Sequence, residues 1–408
     1  MHKIERLLQT LAPKGVEFRK LGEVINILKG KQLNKDLLLD YGEYPVMNGG
    51  IYASGYWNEY NTDYPKIIIS QGGASAGYVN YMTSKFWAGA HCYAIELNSE
   101  KLNYKFLYYF LKNSQNILMK SQFGAGIPAL NKADIETLTI PIPPLEIQQE
   151  IVKILDAFTE LNTELNTELK ARKKQYQYYQ NMLLDFNDIN QNHKDAKERL
   201  AQKTYPKRLK TLLQTLAPKG VEFRKLGEVL EYDQPNQYCV TSKEFDKSYP
   251  TPVLTAGKTF ILGYTNEKDN IYQASKNAPV IIFDDFTTAT QWVDFPFKVK
   301  SSAMKILFSK NPTINIRFIF FYMQTIPYNI GGEHARQWIS RYSQLKVPLP
   351  PLEIQQEIVK ILDQFSILTT DLLAGIPAEI KARKKQYEYY REKLLTFKPL
   401  TPNKEVKK

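Results

Sequence analysis

Apolar residues recur at alternating spacings of three and four along Pro144–Leu184: Ile151, Ile154, Phe158, Leu161 and Leu165, then Tyr176, Tyr179 and Leu183. The segment opens on the proline stop Pro141–Pro144 and then contains neither Gly nor Pro. That pattern predicts one long helix whose seam needs a second helix to cover it. The second helix lies in the same chain. PLEIQQEIVKILD at Pro144–Asp156 recurs letter for letter at Pro351–Asp363, and KARKKQY at Lys170–Tyr176 recurs at Lys381–Tyr387. The matching seam there carries Ile358, Ile361, Phe365 and Tyr387.

The repeat extends further. LLQTLAPKGVEFRKLGEV at Leu7–Val24 is identical to Leu212–Val229, 205 residues later. The chain is therefore two copies of one plan, each a short amphipathic helix (Ile4–Leu11, Leu209–Leu216), a globular insert and a long helix. In both copies Ala-Pro-Lys-Gly closes the short helix, Pro ending it and Gly permitting the turn. Between these copied ends the inserts diverge almost completely. In the first, Ile67–Ser70 reads as a buried strand, Tyr78–Tyr81 and Ala94–Leu97 as further strands, Tyr104–Lys112 as an aromatic helix and Phe123–Pro128 as a glycine loop. In the second, Pro279–Phe283 is the buried strand, Phe297–Ser302 alternates as an exposed strand, Ile316–Gln324 is the aromatic helix and Gly331–Arg336 the glycine loop.

The expected division is a mixed α/β (α+β) domain over 1–143, a helical spacer over 144–186, a polar linker or solvated helix over 187–207, a second domain over 208–350, a second spacer over 351–397 and a frayed tail over 398–408. The second spacer is not a clean copy. Gly375-Ile376-Pro377 interrupts it, Gly placed as a cap and Pro as a first-turn residue, and four surplus residues fall in the same region. Two helices end to end, or one kinked helix, are expected.

Length and composition agree with two cores: 408 residues, 43% of them apolar. A net charge of +12 favours a polyanionic partner, nucleic acid first. Cys92 and Cys239 lie far apart without a CxxC spacing, the N-terminus lacks a signal-peptide core, and the longest apolar run, Phe318–Met323, is too short to span a bilayer. A soluble cytoplasmic protein is expected.

Catalytic motifs are missing from the sequence. No GxxxxGK[ST] supplies a phosphate cradle, and no GxGxxG follows a strand. His91-Cys92 has no second pair to complete a zinc site. Asp284-Asp285 suits the end of a strand, where it caps a turn, better than a metal site. The polar residues in and beside the glycine loops are instead candidate base and phosphate contacts. In the first insert these are Ser70, Gln71, Gly72, Gly73, Ser75, Lys120, Gln122 and Gly124. In the second they are Asp284, Asp285, Thr287, Thr288, Gln291, Lys298, Lys300, Ser301 and Arg336. Amides such as Gln71 and Gln291 can pair bidentately with adenine, and Arg336 with guanine, although ordinary turn chemistry also accounts for each loop. The basic runs Arg172-Lys173-Lys174 and Arg383-Lys384-Lys385 are either solvated helix faces or contacts to another subunit or a phosphate backbone.

The run TELNTELNTEL at Thr159–Leu169 reads as a ruler. Four helical residues add roughly 6 Å and about 400° of rotation, so a unit gained or lost nearly preserves the buried face. The surplus of roughly 40° is close to the twist of about one base pair of B-DNA. The rival reading is a low-complexity helix whose length matters to nothing.

Two unlike inserts joined by repeated helices, each introduced by IPIPPLEIQQEIV or VPLPPLEIQQEIV, resemble the specificity subunit of a type I restriction–modification system. GIPALNKADIETLTIPIPP, IIFDDFTT, FPFKVKSSAMKIL and the KARKKQY blocks carry the same likeness. The resemblance implies two target-recognition domains held apart by an antiparallel intramolecular coiled coil, each reading half of an interrupted DNA sequence. It also implies methyltransferase subunits docked on the helices, joined by restriction/translocase subunits. S-adenosylmethionine, ATP and Mg2+ would then act on those partners, with no cofactor held by this chain. Two other readings remain: a self-sufficient modification enzyme, testable with S-adenosylmethionine and no partner, and a protein scaffold that ignores DNA, testable by gel shift at low salt.

Overall fold

The computed structural model describes residues 2–121, 128–189, 195–255, 259–327, 336–370 and 375–400. Two compact units emerge, one of Met1–Asn166 with Glu379–Lys408, the other of Thr167–Ala378. In the first, the helix His2–Leu11 is stopped by Pro13, and Gly15 turns the chain at φ +107°. Strand Glu17–Lys20 then pairs antiparallel with Thr139–Ile142. A four-stranded antiparallel sheet follows in the order Ile25–Lys29, Cys92–Leu97, Lys66–Ser70, Val79–Met82. Ile67, Ile68 and Ile69 are all buried, which is why this strand is an unbroken apolar run rather than an alternating one. A smaller sheet joins Gly55–Trp57 to Tyr44–Met47 and, in parallel, Tyr44–Met47 to Trp87–Ala88.

The second unit repeats this plan strand for strand. Glu222–Lys225 pairs with Lys346–Leu349; the four-stranded sheet runs Leu230–Asp233, Met304–Ser309, Val280–Asp284, Thr290–Val293; the smaller sheet runs Ile261–Thr265, Thr251–Leu254, Lys298–Val299. Among the described residues each unit thus has nine strands joined in the same order. The inserts share a topology while sharing almost no sequence. Burial pattern and turn placement dictate that topology, and many residue sets satisfy both.

The long helix spans Leu145–Leu184 and its counterpart comes as two helices, Leu352–Thr370 and Ile376–Leu395. In the first unit Phe158 stacks on Tyr390, ring centroids 5.5 Å apart, and touches Tyr387. In the second, Tyr179 stacks on Phe365 at 5.0 Å. Numbers rise along one helix as they fall along the other, the order of an antiparallel pair. The seam residues Ile154, Phe158, Leu161, Leu165, Tyr176 and Ile361 are half-buried. Ile151 and Ile358 are fully buried and serve a second role. With Ile147 and Leu155, or Ile354 and Leu362, they form an i, i+4, i+8 stripe inside the core of their own unit.

The letter-for-letter repeat has an internal use. Gln148 is buried; its Oε1 accepts from the Asn103 N–H at 2.7 Å and its Nε2 donates to the carbonyls of Pro143 and Lys101. Gln355 repeats this, accepting from Asn315 N–H at 2.8 Å and donating to Pro350. Asn103 and Asn315 cap the aromatic helices Tyr104–Asn113 and Ile316–Met323. Asp156 then pairs with Lys105 at 2.8 Å, as Asp363 pairs with Arg317 at 2.7 Å. Glu150 and Glu357 hold Lys3 and Arg208 of the two short N-terminal helices. Each copied residue clamps its helix to its own unit.

Three expectations are corrected. Phe297–Ser302 is not an exposed strand; Phe297 bridges Tyr272, Lys298–Val299 forms a short strand, and all three residues are buried, Lys298 because it finds Glu267 at 2.9 Å. The segment read as a polar linker or a solvated helix contains the turn Asn187–Ile189 and the helix Ala196–Gln202, but it is not fully solvated: Ile189, Leu200 and Tyr205 pack in a core. Ile189 carbonyl accepts from Val221 N–H at 2.8 Å. The tail is anchored likewise as far as Leu400: Val16 N–H donates to the Lys398 carbonyl and its own carbonyl accepts from Leu400 N–H. Among the described residues no helix is long and apolar enough to cross a membrane.

Candidate nucleic-acid interface

In each unit the ends of the two main sheets bring the divergent loops together. In the first unit Gln71 follows the central strand; its N–H donates to His91 carbonyl at 2.9 Å and its carbonyl accepts from Leu130 N–H at 2.8 Å. Gly73 N–H donates to Pro128, and the Ser70 hydroxyl donates to Gly49 carbonyl. Asn80 donates to Ile51 carbonyl at 3.2 Å. The loops after Met47, after Ser70 and after Ala88 and the segment Pro128–Leu130 therefore converge at one edge. Tyr52, 82% exposed, stands at the tip of the first of them.

The second unit builds the same junction from other residues. Asp285 N–H donates to Ala303 carbonyl at 3.3 Å and its carbonyl accepts from Gln337 N–H at 2.8 Å. Lys300 N–H donates to Leu254 carbonyl, as Gly89 N–H donates to Met47 in the first unit. Gln71 and Asp285 thus hold equivalent places in one backbone frame.

The frame sorts the candidate contacts. Gly72, Gly73 and Ser75 are half-exposed in the loop after Ser70, and Lys120 is exposed at the end of the helix Gln115–Lys120. Gln122 and Gly124 lie outside the described residues. Thr287 and Thr288 form the hairpin turn, Thr288 at φ +60°, while Lys300, Ser301 and Arg336 are exposed on the segments that meet Asp285. Gln291 is exposed on strand Thr290–Val293, opposite Ile282.

Five candidates are not presented to a duplex. Ser70 is buried under Gly49. The Oε1 of Gln71 is enclosed, its amide against the Tyr93 phenol, which burial raises and this contact lowers. Asp284 is buried and caps its turn, accepting from Phe286 and Thr287 N–H at 2.9 and 3.1 Å. Asp285 is 1% exposed and Lys298 2% exposed. Lys298 also donates to Asp269 carbonyl; burial pushes its partner Glu267 up, but bonds from Ser242, Lys298 and Thr241 together hold that carboxyl at about 2. Glycine-rich, polar composition marks a loop, but which way each side chain points is a tertiary matter.

The residues beneath these loops escaped the sequence reading. Asp285 Oδ1 accepts from Trp338 N–H at 2.8 Å, and Oδ2 lies 3.5 Å from the ammonium of buried Lys305. Lys305 donates to Gln234, which donates to Ser302 carbonyl at 2.9 Å. One signal was available: a lone lysine inside the apolar run Met304–Phe308 requires a buried partner. Cys92, beside His91 in sequence, points into the core, where burial pushes its thiol to about 12. Among the described residues no cluster of His, Cys, Asp and Glu could hold a metal ion.

The helices also offer a repeated exposed face. Arg172 and Arg383 are engaged with Glu168 and Glu379 on their own helices. Lys170, Lys174 and Tyr178, and in the other copy Lys381, Lys385 and Tyr389, form an i, i+4, i+8 stripe. Both tyrosines are more than half exposed, at 62% and 58%.

The type I restriction modification DNA specificity domain matches this chain twice, over residues 13–175 and 218–382. The chain belongs to the type I restriction–modification specificity family. A Haemophilus influenzae chain named as a type I restriction enzyme specificity subunit is 30% identical over 97% of this chain and 98% of its own length. The EcoR124I/EcoR124II specificity subunit of Escherichia coli is 55% identical over 188 residues, 44% of this chain and 45% of that relative, so this match spans about half of it. The crystal structure of a type I specificity subunit from M. genitalium has the same fold, at a TM-score of 0.65, 21% identity and coverage of 93% of this chain and 96% of that one. Two DNA specificity domains on one duplicated frame fit a specificity subunit, the DNA-recognition member of such a system.

Proposed function

We propose that each unit reads one half of an interrupted DNA target with the loops gathered at its sheet ends, while the paired helices set the spacing and dock methyltransferase subunits. The observation that carries this reading is the identical backbone frame filled with unlike loop residues. Gly73, Ser75 and Lys120 stand on one copy, and Thr287, Thr288, Lys300, Ser301 and Arg336 on the other. A conserved frame places the loops, and their side chains choose the bases. The lysine and arginine excess supplies phosphate affinity without sequence information. The stripe of Lys170, Lys174 and Tyr178, repeated as Lys381, Lys385 and Tyr389, is the docking face for two like partners. Restriction/translocase subunits join that assembly, and S-adenosylmethionine, ATP and Mg2+ act on the partners.

Two measurements test this. The purified chain binds DNA weakly with steep salt dependence and gains selectivity when the methyltransferase subunit is added. Methylome sequencing of cells in which the loops after Ser70 and before Pro128 are exchanged for those of a relative shows one half of the target changed and the other kept. Salt-independent binding, or a target unchanged by the exchange, refutes the reading.

A further inference from the structure

We propose that the residue just past the central strand and the side chain facing it from the neighbouring strand form a brace under the loops of each unit, and that this brace sets the selectivity of that unit's half-target. The inference rests on the proposed reading that these loops face DNA. The register fixes the equivalence. Ser70 pairs with Cys92 and Ile69 with Tyr93; Asp284 pairs with Met304 and Phe283 with Lys305. Gln71 and Tyr93 in the first unit therefore occupy the places of Asp285 and Lys305 in the second.

Both pairs reach the segment that enters the final strand region. Tyr93 hydroxyl donates to Leu130 carbonyl at 3.3 Å, with Gln71 against its oxygen. Asp285 accepts from Trp338 N–H, beside exposed Arg336, and Lys305 ties it through Gln234 to Ser302, beside exposed Ser301. The neutral pair thus ties the loop after Ser70 to Leu130, and the ionic pair ties Asp285 to the segments that carry Arg336 and Ser301. An error of a fraction of an ångström there misplaces every bidentate hydrogen bond to a base.

A buried ion pair can be replaced by neutral groups without loss of the fold, whereas removing one partner leaves a stranded charge. The informative variants are therefore double ones. D285N/K305M removes both charges but keeps an acceptor for Trp338 N–H; D285L/K305M removes that acceptor as well. Each is assembled with its methyltransferase subunit and challenged, in competition gel shifts, with duplexes carrying the target found by methylome sequencing. Every base pair of each half is changed in turn. D285L/K305M is expected to lose about threefold to tenfold of its discrimination in one half only, the half that the first-unit loop exchange leaves unchanged, while D285N/K305M, which breaks the tie to Gln234 but keeps the Trp338 acceptor, loses less. Y93F, a deletion of one hydroxyl, is expected to relax the other half alone. Undiminished discrimination in D285L/K305M or in Y93F overturns the proposal, as does equal loss in both halves. If D285L/K305M does not fold, Y93F alone decides. A failed loop exchange in the wild-type chain instead overturns the reading of the loops themselves.

Discussion

Gln148→Leu tests whether the copied letters serve the fold. Leucine nearly matches glutamine in volume, so the change removes hydrogen bonds without opening a cavity. It strands the Asn103 N–H, held at 2.7 Å, and the carbonyls of Pro143 and Lys101, held at 2.6 and 2.8 Å. A buried polar group left without a partner costs about 1–3 kcal/mol. Only the Pro143 contact is fully buried, and water can reach the other two groups, so the expected loss is about 2–4 kcal/mol rather than the full threefold sum. Local opening of the helix Tyr104–Asn113 reports it directly. At tenfold per 1.4 kcal/mol, amide exchange of Leu107–Leu111 should accelerate about 30-fold to several hundred-fold. The helix Ile316–Met323 of the other unit, clamped by Gln355, is the internal control and should not change. Exchange within threefold of wild type, or equal acceleration of both helices, would refute the clamp.

Glu267→Gln should flatten the acid limb of unfolding. The folded carboxyl lies at about 2, below its ordinary 4.5, so its contribution is complete above 4.5 and is lost as pH falls toward 2; urea midpoints from pH 5 to pH 2 measure this. Gly15→Ala should destabilise by about 2–3 kcal/mol in urea melts, since it combines left-handed strain with a Cβ 2.6 Å from the Pro399 carbonyl oxygen. Gly73→Ala, at φ +79° with open space around its Cβ, should lose only about 1 kcal/mol. Deleting Asn162–Leu165, one tetrapeptide of the run, should preserve folding and change the spacer of the methylated target by about one base pair; an unchanged spacer in the methylome refutes the ruler.

Much of the architecture was readable because it is written in short-range pattern. The 3-then-4 spacing announced a helix that indeed runs Leu145–Leu184, and the Gly375–Pro377 interruption announced the separate helix Ile376–Leu395. Apolar runs located both central strands to within a residue. Lys298 and Asp285 misled because charge was taken for exposure. Each found an opposite charge contributed by a distant segment, Glu267 for one and Lys305 for the other. The polar stretch after Leu184 misled in the same way, since Ile189, Leu200 and Tyr205 are few but all turn inward.

The sequence by itself determined that the chain is one plan written twice, with helices that must pair and inserts that must differ, because periodicity and repetition survive without any knowledge of contacts. Only the tertiary structure decided that the two inserts share one strand order, that Gln71 and Asp285 are counterparts, and that the copied Gln148, Glu150 and Asp156 bind residues of their own unit. Those relations are set by backbone hydrogen bonds and ion pairs between residues far apart in the chain. Such bonds depend on where a group lies in space, and its letter alone does not specify that.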